Sequence, residues 1–180
     1  SANQYWLPRN SYIQVQLMMT KAASTGTVPL CTLTPSPADA LFSLVQHQMN
    51  GTLVGSSNEP AVDGIIMKRA FMKKEVKDTF GDLQALTPTA VVLESDMNTT
   101  LTLMYTPPLG LWATDSIGGA SHVLSLTTHA SLVERLVQTA AYKAAGLLTI
   151  SIGSIRLMVA HATPEVAIPV QRTTVVNTID

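Results

Sequence analysis

The sequence predicts a mainly β fold, an antiparallel sandwich with one or two short helices inserted between strands, and three observations carry that reading. Apolar residues recur with a period of two in separate stretches: Ile13, Val15, Leu17 and Met19; Leu101, Leu103 and Tyr105; His122, Leu124 and Leu126; Leu148, Ile150 and Ile152. That is the period of a half-buried strand. The composition agrees, because 22 threonines and 14 serines among 180 residues suit a pleated surface better than a helix. The third observation is a double proline, Pro107-Pro108. Neither ring can donate to a ladder and Thr106 is forced towards an extended conformation, so a strand must stop there and the chain turn at Gly110.

Taken in order, Tyr12 to Thr20 is the first long strand, with Gln14 and Gln16 on its polar face. Val28 to Leu33 extends again. Ser36-Pro37-Ala38-Asp39 offers an N-cap, a proline at the first helical position and an acid soon after. Leu41, Phe42, Val45 and Met49 follow at helical spacing and Asn50-Gly51 makes a stop, so a helix of about three turns is expected. Residues 51 to 64 read as a short strand and a loop. Ile65 to Met72 suits a strand, whereas Met72, Val76 and Phe80, four apart, suit a helix.

Ala90 to Leu93 is a short buried strand, and Asp96-Met97-Asn98 turns the chain into the strand that ends at Tyr105, which we expect to be interior to its sheet. Ser121 to Thr127 is another strand. Ser131-Leu132-Val133-Glu134 matches a capping box, Val133, Leu136, Val137 and Ala140 form a stripe, and Gly146 is a stop, which predicts a helix over 131–145. Ile155, Leu157 and Val159 have the opposite parity to Leu148, Ile150 and Ile152. A hairpin at Gly153-Ser154 and a bulge in one long strand both explain that shift. Val166, Ile168 and Val170 alternate once more after Thr163-Pro164.

No break in composition divides the chain, so 1–180 is expected to form a single domain. Net charge is −1, charged residues are 13% and mean hydropathy is +0.25. Low charge with exposed apolar area favours an obligate assembly over a free monomer. One cysteine, Cys31, excludes an internal disulfide and a paired-cysteine zinc site. The start at Ser1, without Met or an apolar leader pattern, reads as processed or trimmed. The most apolar window, Ala144 to Ala162, alternates and contains Arg156, so no membrane span is expected.

Chemistry is sparse. Cys31 paired with His47, His122, His129 or His161 would give a nucleophile and base, but a small buried hydrophobe is the simpler reading of Cys31. The histidines lack the i, i+2 or i, i+4 spacing that metal sites favour. Glu94 and Asp96 share a strand face, though a turn beside Asn98 explains them. No nucleophile elbow, phosphate loop or dinucleotide fingerprint is present. No catalytic residue, cofactor or metal is therefore assigned. One charge cluster stands out, Lys68, Arg69, Lys73, Lys74 and Lys77. It could contact nucleic-acid phosphates or an acidic partner, although Glu75, Asp78 and Asp82 balance it as a solvated face.

Three runs in order, LTLMYTPPLG (101–110), GGASHVLSL (118–126) and GLLTISIGSIRLMVAHATPEVAIPV (146–170), resemble the second half of a picornavirus-like capsid protein. In that family a strand ends in a Tyr-x-Pro-Pro-Gly corner, small residues lead into a Gly-Thr-His-like strand start, and a Thr-Pro turn precedes the last strand. Here Leu109 separates Pro108 from Gly110, and the expected helix at 131–145 falls where the family has strand and loop. The resemblance implies a jelly-roll sandwich with Pro107, Pro108 and Gly110 as a structural corner. It also implies a non-enzymatic coat subunit in a virion, assembled in the host cytoplasm as a homo- or hetero-oligomer with other capsid chains, with genomic RNA and a host receptor as further partners. Two other classes stay open: a β-rich ligand- or glycan-binding module, and an α+β enzyme using Cys31.

Overall fold

The ten residues from Tyr12 to Lys21 alternate without exception between half-buried and buried, and the rest of the molecule is laid against them. In a computed structural model of the chain the described residues are 4–23, 30–71, 89–94, 97–114, 117–144 and 146–163. Their strands are β1 (Tyr5–Trp6), β2 (Tyr12–Lys21), β3 (Cys31–Leu33), β4 (Phe42–Met49), β5 (Thr52–Ser57), β6 (Thr89–Val91), β7 (Asn98–Tyr105), β8 (Ile117–Gly118), β9 (His122–Thr128), β10 (Leu148–Met158) and β11 (His161–Ala162). Among the described residues two helices, α1 (Pro60–Phe71) and α2 (Leu132–Leu136), interrupt them. The protein is mainly β, and every strand pairing among the described residues is antiparallel.

Two three-stranded sheets dominate, β10-β2-β7 and β5-β4-β9, with smaller ones ordered β11-β1-β8 and β3-β6. The chain visits the large sheets alternately: β2 in the first, β4 and β5 in the second, then β7, β9 and β10 in turn. Their inward rows meet in one core, which joins Ile13, Val15, Leu17 and Met19 of β2 to Leu103 and Tyr105 of β7 and Phe42 and Val45 of β4. Phe42 and Tyr105 touch across the sheets with ring centroids 4.8 Å apart.

The shift at Gly153 is a bulge. β10 runs unbroken along β2, with Ile152 opposite Leu17 and Ser154 opposite Gln16, which leaves Gly153 as the extra residue. The inserted residue resets the parity, so Ile155 and Leu157 lie opposite Val15 and Ile13 just as Ile150 lies opposite Met19. Both apolar sets thereby fall on one face.

The helix expected from Ser36 to Met49 is not formed. Ser36 sits at φ 49, outside the extended conformation an N-cap needs, and only one 3-10 turn, Asp39–Leu41, follows before β4 begins. Asn50 and Gly51 have φ of 51 and 80 and make a two-residue hairpin between Met49 and Thr52, the turn that left-handed Asn-Gly favours. Val45 and His47 gain burial between β5 and β9, and that tertiary context outweighs the helical spacing.

The 131–145 helix is cut short. Ser131 makes no side-chain cap bond, α2 ends at Leu136, and Val137 bridges to Leu33. The amide of Gln138 donates to Thr32, and a 3-10 turn follows at Ala140–Lys143. Leu136, Val137 and Tyr142 are buried, so docking against β3 replaces further helix. The strand-or-helix alternative after residue 65 resolves as helix, beginning earlier than the expected loop allowed, at Pro60. Proline suits that first position, and Asp63 in the first turn accepts the Ser57 hydroxyl at 2.6 Å. Among the described residues β7 pairs with β2 alone, so the second neighbour expected of an interior strand is not found among them. Val76, Phe80, Val166, Ile168 and Val170 lie outside the described residues.

Candidate functional site: a histidine–tryptophan cluster

The double proline does what its chemistry dictates. The β7 ladder stops at Tyr105, opposite Ile13. Pro107 is buried and Leu109 donates its amide to the Pro107 carbonyl at 2.8 Å. Gly110 then opens a 3-10 turn, Gly110–Ala113. The corner carries the chain from the first large sheet to the second: Leu109 lies against Gly55 of β5, and Trp112 is delivered, 3% exposed, to His47 of β4.

There the indole Nε1–H of Trp112 donates to Nδ1 of His47 at 3.2 Å. His47 lies opposite Leu124, and His122 lies two residues along β9 on the same face, a diagonal pair within reach of long side chains. Nε2 of His47 and Nδ1 of His122 are 3.1 Å apart. Because Trp112 can only donate, the arrangement fixes the tautomers. His47 accepts at Nδ1 and donates its Nε2–H to Nδ1 of His122, which therefore carries its own proton on Nε2.

Trp6 closes the cluster from β1. Its ring meets that of His122 edge-on at 4.8 Å, that of Trp112 edge-on at 5.3 Å, and that of His47 at 5.7 Å. Its own N–H donates to Ser11 Oγ at 2.8 Å. The Ser11 hydroxyl in turn donates to the Leu7 carbonyl and accepts the Ala160 amide. One polar and aromatic network thus ties β1, the proline corner, β4, β9 and the end of β10.

This network opposes protonation. A second proton on His47 would have to displace the Trp112 donor, and one on His122 would face the His47 N–H. His47 is 1% exposed; burial, and secondarily the field of His122, lowers its pKa to about 4. Burial also lowers that of His122. Both rings are neutral near pH 7. The Ser11 hydroxyl donates to the Leu7 carbonyl, and protonation of either imidazole would break the bonds that join Trp112, His47 and His122.

The other candidates are dispersed. Cys31 is fully buried, and burial pushes its thiol up to about 11, as expected of a packed hydrophobe. Glu94 is exposed, while Asp96 lies outside the described residues. Lys68 and Arg69 belong to the last turns of α1, and Lys73, Lys74 and Lys77 lie outside the described residues. Among the described residues no three His, Cys, Asp or Glu side chains gather as metal ligands, and no helix is long and apolar enough to cross a membrane. The histidine pair was not anticipated, because His47 was assigned to a helix. The signal was the apolar parity of His122 with Leu124 and Leu126.

No family model matches the chain, and no curated protein matches it.

Proposed function

We propose that this chain is a jelly-roll coat subunit of a small picornavirus-like capsid, a structural protein without an active site that assembles with other coat chains in the virion. The observation that carries the reading is the alternation of β2, β4, β5, β7, β9 and β10 between two antiparallel sheets sharing one core. A double-sheet jelly roll is built in this way. The resemblance at 101–110 adds to it, since Pro107-Pro108 makes the rigid crossing between those sheets.

Exposed apolar side chains on β10 and few charges suit a subunit buried among neighbours. The basic cluster from Lys68 to Lys77 is the proposed contact for the RNA genome, by release of phosphate counterions. A host receptor would be met at loops of the outer surface. The test is the mass of the 19.2 kDa chain in solution, alone and with companion chains, by light scattering, followed by electron microscopy. Closed shells or large regular oligomers are expected. A monomer that persists across salt, pH and added companions overturns the proposal.

A further inference from the structure

The tip of the β4–β5 hairpin is fastened to the start of β9 through one residue. The amide of Asn50 donates to the Ser121 carbonyl at 2.8 Å, and the Ser121 amide donates back to Oδ1 of Asn50 at 2.9 Å. These bonds extend the β4–β9 ladder one step beyond Met49 and His122. They fix the backbone and the side chain of Asn50 together, while Asn50 and Gly51 both stay exposed.

The same dipeptide holds the parts of a self-modification. Asparagine is thermolabile because the amide nitrogen of the next residue attacks its side-chain carbonyl carbon. A Cβ on that next residue obstructs the approach, and glycine has none. Of the six asparagines only Asn50 precedes a glycine; the others precede Gln4, Ser11, Glu59, Thr99 and Thr178. Beyond its chain neighbours nothing lies within 4 Å of where a Cβ on Gly51 would stand. Among the described residues the Gly51 amide donates no backbone hydrogen bond, so the nucleophile is open and unengaged. The electrophile is restrained. Closing the ring swings the Asn50 side chain onto the Gly51 nitrogen, which turns ψ and χ1 of Asn50, and the two bonds to Ser121 hold both.

We propose that Asn50-Gly51 is a deamidation site gated by Ser121. When the hairpin tip lifts, the Gly51 nitrogen bonds to Cγ of Asn50, the bond from Cγ to Nδ2 breaks, and ammonia leaves with the Gly51 amide proton. The cyclic imide then takes up water at one of its two carbonyls and becomes aspartate or isoaspartate. Aspartate keeps an oxygen for the Ser121 amide and leaves the main chain as it was. Isoaspartate routes the main chain through the side chain and adds one carbon to a two-residue turn whose φ values of 51 and 80 match the twist of its strands. The lengthened turn does not reseat on Ser121, and the loss falls where the β4–β9 ladder begins, at Met49 and His122.

The test incubates the whole chain at pH 8, folded and in urea, and follows Asn50 by peptide mass spectrometry, with isoaspartate scored by enzymatic methylation. Asn50 is expected to react in the folded protein about thirtyfold more slowly than in urea, the factor that two net hydrogen bonds represent. Ser121→Pro removes the amide donor and is expected to speed the folded reaction about fivefold, with the fluorescence of Trp6 and Trp112 showing that it is folded. The isoaspartyl fraction is expected to unfold at lower urea than freshly prepared Asn50→Asp. No reaction in the folded protein over about a hundred half-lives of the urea sample overturns the site. Equal rates folded and in urea, or a folded Ser121→Pro that reacts no faster, overturn the gate. The wild-type comparison decides the gate even where Ser121→Pro does not fold. An isoaspartyl fraction that unfolds together with Asn50→Asp overturns the structural consequence.

Discussion

Acidification from pH 7.5 to 5 should weaken the fold through His47 before the carboxylates titrate. A histidine takes up a proton near 6.5 in an open chain and near 4 in this fold. Between those values the unfolded chain binds the extra proton and the folded one does not. Stability is therefore whole above about 6.5 and falls as pH drops towards 4. Below pH 4 the loss reaches about 3 kcal/mol, at roughly 1.4 kcal/mol per tenfold change in proton affinity, and by pH 5 it is about 2 kcal/mol. The lowered pKa of His122 adds in the same direction. Urea unfolding followed by the fluorescence of Trp6 and Trp112, which lie on these rings, measures it. His47→Gln keeps an acceptor for the Trp112 N–H but cannot titrate, so its stability should fall much less over the same range. A flat wild-type profile from pH 7.5 to 5, or an unchanged slope in His47→Gln with His122→Gln, would refute the reasoning.

Trp112→Phe removes the donor to His47 Nδ1 and should destabilise by about 1–2 kcal/mol; the His47 pKa should rise towards the ordinary histidine value when its ring protons are followed by NMR. Gly51→Ala places a side chain at φ +80 in open space and should cost about 1 kcal/mol in thermal or urea unfolding. Tyr105→Phe deletes a buried hydroxyl that has no hydrogen-bond partner among the described residues and should leave stability unchanged or raise it by about 1 kcal/mol. Cys31, buried with its thiol raised to about 11, should resist a thiol reagent at pH 8 until the protein is unfolded; fast labelling of the native chain would revive the nucleophile reading.

Legibility followed the strength of the periodic signal. β2, β7, β9 and β10 were readable because period-two alternation marks the two faces of a strand, and along β2 one of those faces is buried throughout. The Pro107-Pro108 corner was readable because missing N–H groups and a fixed φ act locally, whatever the surroundings. The two misplaced helices share one cause. At 36–50 and 131–145 the caps and stops obeyed helical rules, but those rules are worth about 1 kcal/mol each. Burying Phe42, Val45 and His47 in one case, and Leu136, Val137 and Tyr142 in the other, is worth several times that. Asn50-Gly51 serves a helix stop and a hairpin equally well in sequence, and only its partners across the ladder, Met49 and Thr52, decide between them.

That single reassignment also explains why the cluster was hidden. His122 was visible as a histidine on an apolar face, but its partner stood at a position whose parity means nothing until 42–49 is a strand. Once it is, Val45, His47 and Met49 share one side, and the β4–β9 register brings His47 within 3.1 Å of His122. Trp112 arrives only because the proline corner ends β7 where it does, and Trp6 only because β1 pairs with β8 and β11. Four segments far apart in sequence must each be placed before the imidazoles meet. No spacing rule for histidines finds such a pair, since the 75 positions between them are closed by topology, and the polar bond that results is buried where a wrong protonation state is felt across four strands.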